Sequence, residues 1–325
     1  MPNARQAGAS VRNVIFLFLL VPLLFVFAVC AAVQVVEVHW VFDMMALPLL
    51  PSFVVALITG LIALTLRRWR LAATAAVAAA LAYATALPWT QPTPMTNQAA
   101  SKFTVLLFNT YYRNTELAEV ARRIEAIDAD IVVLLEVTPQ GREKLRPLDA
   151  HYAQRFECWR SPGCDILVLS RFPMKEPHVD FVGSIQRSPI AWFEISPAGC
   201  AMNIFATHLT RPFPFAPIAS QDREADDLAQ ALNGWPGPKL VVGDFNAPPW
   251  GHVIKTVENR AKLHVSLGAG GTWHAKLPPL MRVPIDHVMA SEGFAFASRK
   301  VLSFPGSDHA AVLTEVAVED RTRCW

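Results

Sequence analysis

The sequence has little charge, and the charge that it has is unevenly placed. Only 17% of the 325 residues are Asp, Glu, Lys or Arg, whereas 53% are hydrophobic. Soluble globular domains carry about 25% charged residues. The composition therefore excludes a chain built only from an ordinary soluble domain, and it indicates a part that lies in a membrane.

Three N-terminal windows contain no charged residue, namely residues 13–36, 44–66 and 71–89. Each approaches or exceeds the roughly 20 apolar residues that cross a bilayer core of about 30 Å. A cleaved signal peptide is the alternative for the first window, but its apolar core is long and no small-residue cleavage site follows. Buried globular helices are the alternative for the Ala-rich third window, but nothing nearby would cover them. We therefore predict a membrane domain of residues 1–90 with three transmembrane helices.

Basic residues are missing from one side of these predicted spans. The five upstream arginines precede the first span or separate the second from the third: Arg5, Arg12, Arg67, Arg68 and Arg70. The positive-inside rule then places the N-terminus in the cytoplasm. Three spans place everything after Trp89 outside. In a bacterium with two membranes, this predicts a multi-pass inner-membrane protein whose C-terminal domain faces the periplasm.

Residues 91–101 contain two prolines and no apolar periodicity, which is typical of a short linker. The remaining residues, 102–325, are enough for one sizeable core and show no fixed-period repeat. Five of the 29 basic and two of the 27 acidic residues lie upstream, which leaves this domain with 24 basic and 25 acidic residues. Its charge balance argues against strong, sequence-independent binding of nucleic acid, although a weakly binding nuclease stays open.

Cysteine is scarce, and no Cys-x-x-Cys or Cys/His spacing indicates a zinc site. Cys30 lies in the first predicted span, whereas Cys158, Cys164, Cys200 and Cys324 fall on the outer, oxidising side. A Ser-Pro-Gly turn should set Cys158 opposite Cys164 across a hairpin, so we expect a disulfide there. The pairing of Cys200 with Cys324 is open, and four unpaired buried thiols are the alternative.

Short strands alternate with amphipathic helices along the C-terminal domain. Apolar residues at helical spacing predict a helix over 117–127, with further helices around 139–147 and 220–233. Strands are predicted at 102–109, 130–137, 164–170, 190–195, 201–208, 239–243, 285–290 and 309–318. Many strands with a few covering helices indicate packed sheets with helices outside.

Polar residues follow apolar strands in six segments: Asn109, Glu136, His208, Asp244 with Asn246, Asp286, and Asp308 with His309. Each alone has an ordinary explanation as a turn residue, a helix cap or a structural histidine. The alternation of side chains along a strand would point Asp244 and Asn246 to the same side. Four carboxylates in one place are costly to bury without a cation. Mg²⁺, or else Mn²⁺, is the simplest compensator because both prefer oxygen ligands.

Seven motifs occur in a fixed order: LLFNT, IVVLLEV, LSRFP, ATHL, VVGDFNAPPW, IDHV and SDHAAV. As a set they resemble the endonuclease/exonuclease/phosphatase superfamily, which includes DNase I-like nucleases, neutral sphingomyelinases and inositol polyphosphate phosphatases. The similarity covers residues 102–320, and GDFN with a later SDH is its most specific part. It implies an α/β fold, a four-layer sandwich of two central mixed sheets flanked by helices, and metal-assisted cleavage of a phosphate ester.

The resemblance also implies roles for individual residues. Glu136 resembles the main metal-binding glutamate, with Asn109 beside it and Asp308 contributing. Asp244 would orient the attacking water, and Asn246 would hydrogen-bond a phosphate oxygen.

Two histidines complete the implied catalytic set. His309, oriented by Asp286, would stabilise the transition state as a cation. His208 would act near the leaving or non-bridging oxygens, although the sequence offers no clear carboxylate partner for it. His287 stands where many family members have tyrosine, and we interpret it as structural.

Substrate contacts are less well defined. Arg187 would bind a substrate phosphate, or is a solvated surface arginine. Trp250 and the loop 211–218 offer apolar surface beside the site, for ordinary packing or for contact with a base or a lipid chain.

These features predict a membrane-anchored phosphoesterase that acts on a lipid-like or small phosphate ester. A metal-dependent nuclease on DNA or RNA is the alternative, and a non-catalytic scaffold with the same fold is a further one. A purely structural membrane protein is disfavoured, and no charge within the predicted spans marks a transport path. No protein partner is indicated.

The topology can be tested with C-terminal fusions. Because all five upstream arginines lie on one side of the predicted spans, an alkaline phosphatase fused after Trp325 should be active and a fluorescent protein exported in the same way should be dark. The reverse pattern would contradict both the topology and the expected disulfide.

Overall fold

The computed structural model describes residues 4–92, 101–158, 161–183, 187–212, 218–268, 270–320, 322 and 324. The chain forms two compact units, Met1–Pro88 and Trp89–Trp325. Most of the predicted linker and most of the loop 211–218 lie outside the described residues.

The N-terminal unit is helical, with α1 Ala4–Val33, α2 Trp40–Ala46, α3 Leu49–Thr65 and α4 Trp69–Thr90. Arg12–Val33 and Trp69–Thr90 are each long and apolar enough to cross a membrane. The second predicted span is not one straight helix, because α2 and α3 meet at a bend of 53°. Pro48 lies at this break, where it lacks an N–H to continue a helix. The described residues thus contain two candidate spans, or three if the bent pair counts as one.

The second unit contains two six-stranded sheets. The first has the order β11-β12-β1-β2-β4-β3, with β1 Ser101–Asn109, β2 Ile131–Leu135, β3 Gln154–Glu157, β4 Leu167–Ser170, β11 Phe294–Leu302 and β12 Ala311–Val318. The second has the order β5-β6-β7-β8-β10-β9, with β5 Lys175–Val182, β6 Ser188–Ile195, β7 Met202–His208, β8 Lys239–Asp244, β9 Leu263–Val265 and β10 Asp286–Ser291.

Each sheet has a parallel pair at its centre, β1 with β2 and β7 with β8, and its other described pairs are antiparallel. The carboxyl ends of parallel neighbours lie at one edge of a sheet, where α/β proteins place their chemistry. This topology determines where the polar strand ends meet.

Among the described residues of this unit, three apolar clusters hold the layers together. The central one joins the sheets, with Val105 and Val133 of the first packed with Ile204 and Val242 of the second. The outer face of the first sheet is covered by α5 Leu117–Ile127 and α6 Pro139–Leu145, and that of the second by α7 Ile218–Asn233 and α8 His252–Ala261. The implied four-layer α/β sandwich is therefore confirmed.

Every predicted strand and helix of this unit is present, with shifted ends. The strand predicted at 164–170 begins only at Leu167, because a turn closed by the Cys158–Cys164 disulfide occupies the preceding residues. This disulfide confirms the expected hairpin pairing. Cys200 is bonded to Cys324, so the alternative of four unpaired thiols is wrong.

Candidate active site

The first sheet contributes the acidic and amide side of the site. Asn109 is the last residue of β1, and Glu136 follows β2, its parallel neighbour. β12 runs antiparallel to β1, so His309 lies just before its first residue at the same edge. Residues separated by up to 200 positions are thus gathered at one edge.

The second sheet brings its own polar ends to this site. His208 and Asp244 are paired in register at the ends of β7 and β8, and Asp286 at the start of β10 lies opposite Asp244. Gly243 permits the close approach of the parallel pair, because a Cβ there would come within 2.2 Å of the Thr207 carbonyl oxygen.

Asp244 is the centre at which the predicted residues meet. Its Oδ2 accepts a hydrogen bond from Asn109 Nδ2 at 3.0 Å, and it lies 3.8 Å from His208 Nε2 and 3.7 Å from His309 Nε2. Its Oδ1 accepts from the Asn246 backbone N–H at 2.9 Å. Only 1% of the residue is exposed. Burial and the neighbouring Asp286 raise the pKa of Asp244, the two histidines lower it, and the net result is a pKa of about 6. The carboxyl group is therefore mostly ionised at neutral pH.

His309 is paired with Asp286, as the resemblance implied. Its Nδ1 lies 3.0 Å from Asp286 Oδ2, and both residues are buried. Burial would lower the pKa of His309, but the carboxylates of Asp286 and Asp244 outweigh it and raise that pKa to about 10. Despite burial, the His309 cation also lowers the pKa of Asp286. The pair is therefore an imidazolium and a carboxylate at neutral pH.

His208 has a carboxylate partner that the sequence did not reveal. Asp165 Oδ2 lies 3.1 Å from His208 Nδ1. Burial would lower the pKa of His208, but Asp165 foremost, with Asp244 and Glu136, raises it to about 9. Asp165 follows a disulfide-bonded cysteine, and its carbonyl accepts from the Val137 N–H at 3.0 Å. The sequence does place Asp165 directly after Cys164, at the expected hairpin. The strand predicted over 164–170 hid this, because it made Asp165 an ordinary strand residue.

Glu136 and Asn109 are linked to each other. Glu136 has a left-handed backbone with φ of 56°, and its Oε2 accepts from the Tyr112 N–H at 2.9 Å. Its Oε1 accepts from Asn109 Nδ2 at 3.1 Å, while Asn109 Oδ1 accepts from the Tyr111 N–H. No basic side chain among the described residues forms an ion pair with Glu136. Both of its carboxylate oxygens accept from neutral donors, and His208 acts on its charge without a hydrogen bond.

Two sets of residues are therefore candidates for holding a cation. The predicted set is Glu136, Asn109 and Asp308, and Asp308 Oδ2 accepts from the Trp273 indole N–H at 3.2 Å. A second set, Asp244, Asp286 and His309, offers ligand atoms that all lie within 4.8 Å of one another. We favour Glu136, because the carboxylates of the second set already lie within ion-pair distance of His309, at 3.0 Å for Asp286 and 3.7 Å for Asp244.

Asn246 does not continue the strand alternation. β8 ends at Asp244, and Asn246 adopts φ of 50°, so the expectation that period two aligns their side chains is wrong. Instead, Asn246 Nδ2 donates to the Leu209 carbonyl at 2.9 Å and fixes the loop that follows His208.

Three further residues that the sequence singled out have contacts or burial of their own. The Arg187 guanidinium lies over the Phe181 ring at 4.9 Å, just before β6 begins. His287 is buried, its Nε2 lies 2.8 Å from the Ala247 carbonyl, and burial lowers its pKa to about 4, which agrees with a structural role. Trp250 is 1% exposed, so the interpretation that it offers surface to a substrate is wrong. It fills the core instead.

Comparisons with known proteins agree with this geometry. The model of the Endonuclease/Exonuclease/phosphatase family matches residues 106–309. The chain belongs to this family, whose members are hydrolases that act on phosphate ester bonds and generally depend on divalent metals. No curated protein matches the sequence.

Solved structures share the fold at low sequence identity. An endonuclease/exonuclease/phosphatase from Bacteroides vulgatus has a TM-score of 0.59 at 16% identity, covering 67% of this chain and all of its own. D. rerio TDP2 complexed with single strand DNA product has a TM-score of 0.53 at 16% identity, with 66% and 99% covered. Sphingomyelinase C from Streptomyces griseocarneus has a TM-score of 0.51 at 15% identity, with 66% and 99% covered. These likenesses show the fold.

The newly found Asp165 gives a test of the His208 pair. In Asp165→Asn the imidazolium loses its nearest anion, so the pKa of His208 should fall from about 9. We expect the alkaline limb of kcat/KM against bis(p-nitrophenyl) phosphate to move to lower pH by about one unit or more. Asp180→Asn, at an exposed position paired with His178, is the matched control. Identical alkaline limbs in both variants would show that Asp165 does not hold the His208 charge.

Proposed function

We propose that the chain is a membrane-anchored, metal-dependent phosphoesterase, in which water attacks phosphorus in line with the leaving oxygen. The observation that carries the proposal is the convergence of two histidine–carboxylate pairs on Asp244, with Nε2 atoms 3.8 and 3.7 Å from its Oδ2. Asp244 is an anion that can accept a proton. It lies between His208 and His309, two cations that can bind phosphate oxygens.

The chemistry of the donor set fits a hard divalent cation. Among the described residues, the Glu136 carboxylate accepts hydrogen bonds only from the neutral Asn109 amide and the Tyr112 N–H, so a cation can still compensate its charge. Glu136 would hold the ion, with Asp308 and the amide oxygen of Asn109 contributing. A bound Mg²⁺ or Mn²⁺ would neutralise charge on the phosphate and polarise its ester.

Asp244 aligns the attacking water and accepts its proton as the new P–O bond forms. Burial helps, because a carboxylate whose pKa is raised to about 6 is still ionised at neutral pH and is a better base than an exposed aspartate. The Asn109 amide and the Asn246 N–H fix its two oxygens in place. The side-chain amide of Asn246 lies in the loop beside Asp244. We assign this amide to a hydrogen bond with a phosphate oxygen.

The two histidines act on the negative charge that develops as the bond to the leaving group breaks. His309 donates from Nε2 to a non-bridging oxygen, while Asp286 holds its Nδ1. His208, held in the same way by Asp165, donates to the leaving or a non-bridging oxygen and can supply the leaving group's proton. Arg187 lies just before β6, at the sheet edge where β7 ends in His208. From this position we assign Arg187 to a contact with a distal part of the substrate.

For the substrate, we favour a lipid-like or small phosphate ester. Residues 102–325 are nearly neutral, which is unfavourable for binding a long polyanion. The candidate spans precede this domain by a short linker, and we place it at the outer face of a bacterial inner membrane. Nucleic acid is the second candidate, supported by the fold shared with TDP2, whose structure holds a single strand DNA product.

Single substitutions test the assigned roles. We expect Glu136→Ala, Asp244→Ala, His208→Ala and His309→Ala each to lower kcat on bis(p-nitrophenyl) phosphate by at least about 10²-fold, because each removes a positioned charge or a proton carrier. EDTA should abolish activity, and Mg²⁺ or Mn²⁺ should restore it. Thermal melting of each variant controls for folding. A fully active His309→Ala protein would mean that the site is wrongly assigned.

A further inference from the structure

Large apolar side chains that are exposed on the catalytic unit cluster in two segments. Among its described residues they are Tyr112 at 52% exposure, Trp273 at 36%, Leu277 at 43% and Leu280 at 53%. We call these four residues the apolar rim. Every other large apolar side chain described in this unit is less exposed. The rim is therefore a local apolar patch, and the rest of the described surface is not similarly apolar.

Both segments of the rim are bonded to the candidate active site. The Tyr112 backbone N–H donates to Glu136 Oε2 at 2.9 Å. The Trp273 indole N–H donates to Asp308 Oδ2 at 3.2 Å, and the Trp273 backbone forms a bridge with His309. The rim therefore borders the acidic side of the site.

The two leucines are presented by an ordered loop. Arg282 Nε donates to the Leu277 carbonyl at 2.7 Å, and the Met281 N–H donates to the Pro278 carbonyl at 2.8 Å. The Ala275 N–H donates to the Asp308 carbonyl at 2.7 Å, which ties the loop to the site. These hydrogen bonds to backbone carbonyls hold the loop while its leucine side chains remain exposed to water.

The charged side chains within the two rim segments are basic. Residues 111–113 and 273–281 include Arg113 and Lys276 but no Asp or Glu. Both basic residues are exposed, and the Arg113 guanidinium carbon lies 5.0 Å from the centre of the Tyr112 ring. Exposed apolar and basic side chains in the same two segments complement an anionic lipid surface.

We propose that the apolar rim docks on an anionic lipid bilayer and presents the active site to a phosphate ester embedded in that bilayer. The substrate part of this inference rests on the proposed function, whereas the docking part does not. Trp and Tyr favour the membrane interface, and leucine favours hydrocarbon. Bases of a nucleic acid would stack on the two aromatic rings but would leave Leu277 and Leu280 without a matching contact.

Chain length is consistent with docking. Only ten residues separate Thr90, the last residue of α4, from Ser101, the first of β1. Eleven steps of at most about 3.6 Å bring these two residues within about 40 Å of each other. A bilayer crossed by α4 would therefore stay within reach of the catalytic unit.

Docking is tested by spin labels on the full-length protein in nanodiscs of phosphatidylcholine and phosphatidylglycerol. With Cys30→Ser as background, a nitroxide at Leu280→Cys should be more accessible to oxygen than to a water-soluble nickel chelate. The matched label is Asn259→Cys, on an exposed position near the end of α8, which should show the opposite preference. Equal preference for the nickel chelate at both positions would overturn the proposal, whatever the enzyme hydrolyses.

The substrate part is tested with a double variant. Leu277→Ser/Leu280→Ser should lower hydrolysis of phosphatidylglycerol in these nanodiscs by at least about tenfold, because two leucines no longer enter the bilayer. Hydrolysis of the soluble bis(p-nitrophenyl) phosphate should fall far less, and Leu277→Phe/Leu280→Phe should retain activity on the lipid.

The outcomes separate the two claims. An equal loss on both substrates would mean that the loop only supports the site, and it would overturn the lipid-presenting role. A wild-type enzyme that leaves the lipid intact but cleaves an oligonucleotide, with that activity lost in the serine variant, would make the rim a base-contact surface and overturn it as well. Failure of the wild type on the soluble ester would instead count against the proposed function, and the spin labels would still decide docking.

Discussion

The site depends on one buried carboxylate, Asp244, whose charge is kept by two imidazolium cations. Burial alone would favour the neutral acid, and the nearby Asp286 adds to this effect. His208 and His309 oppose it from either side, and each is held in the charged form by its own carboxylate, Asp165 or Asp286. Removal of any member leaves another charge buried without its partner, so the five groups behave as a unit.

The fold supplies this unit from both sheets. A central parallel pair in each sheet ends at the same edge, and the antiparallel strands β10 and β12 start there. The rigid cores between and outside the sheets fix the strand ends, while the loops that leave them carry Glu136, Asn246 and the apolar rim. A shared scaffold with variable loops explains how relatives of the same fold can act on different phosphate esters.

The sequence predicted the part of the site that follows from strand periodicity. Asn109, His208 and Asp244 end apolar runs, and such runs fix both the strand and its last residue. Asp165 was not predicted because it lies in the irregular segment between the disulfide-closed turn and β4, and it contacts His208 only through tertiary packing across 43 residues. The left-handed backbone of Asn246 and the burial of Trp250 also arise from packing, and β9, with three residues, is too short for a periodicity to show.

The charge state of His208 and His309 tests most directly whether Asp244 is held between two cations. Nitrogen-15 NMR of the side chains in metal-free, histidine-labelled protein, assigned with His208→Gln and His309→Gln, would report it. We predict that both imidazoles stay protonated through neutral pH and titrate only near their raised pKa values of about 9 and about 10, while His287, whose pKa is lowered to about 4, is neutral. If His208 and His309 instead titrate near the ordinary value of 6.5, Asp244 is not held between two cations.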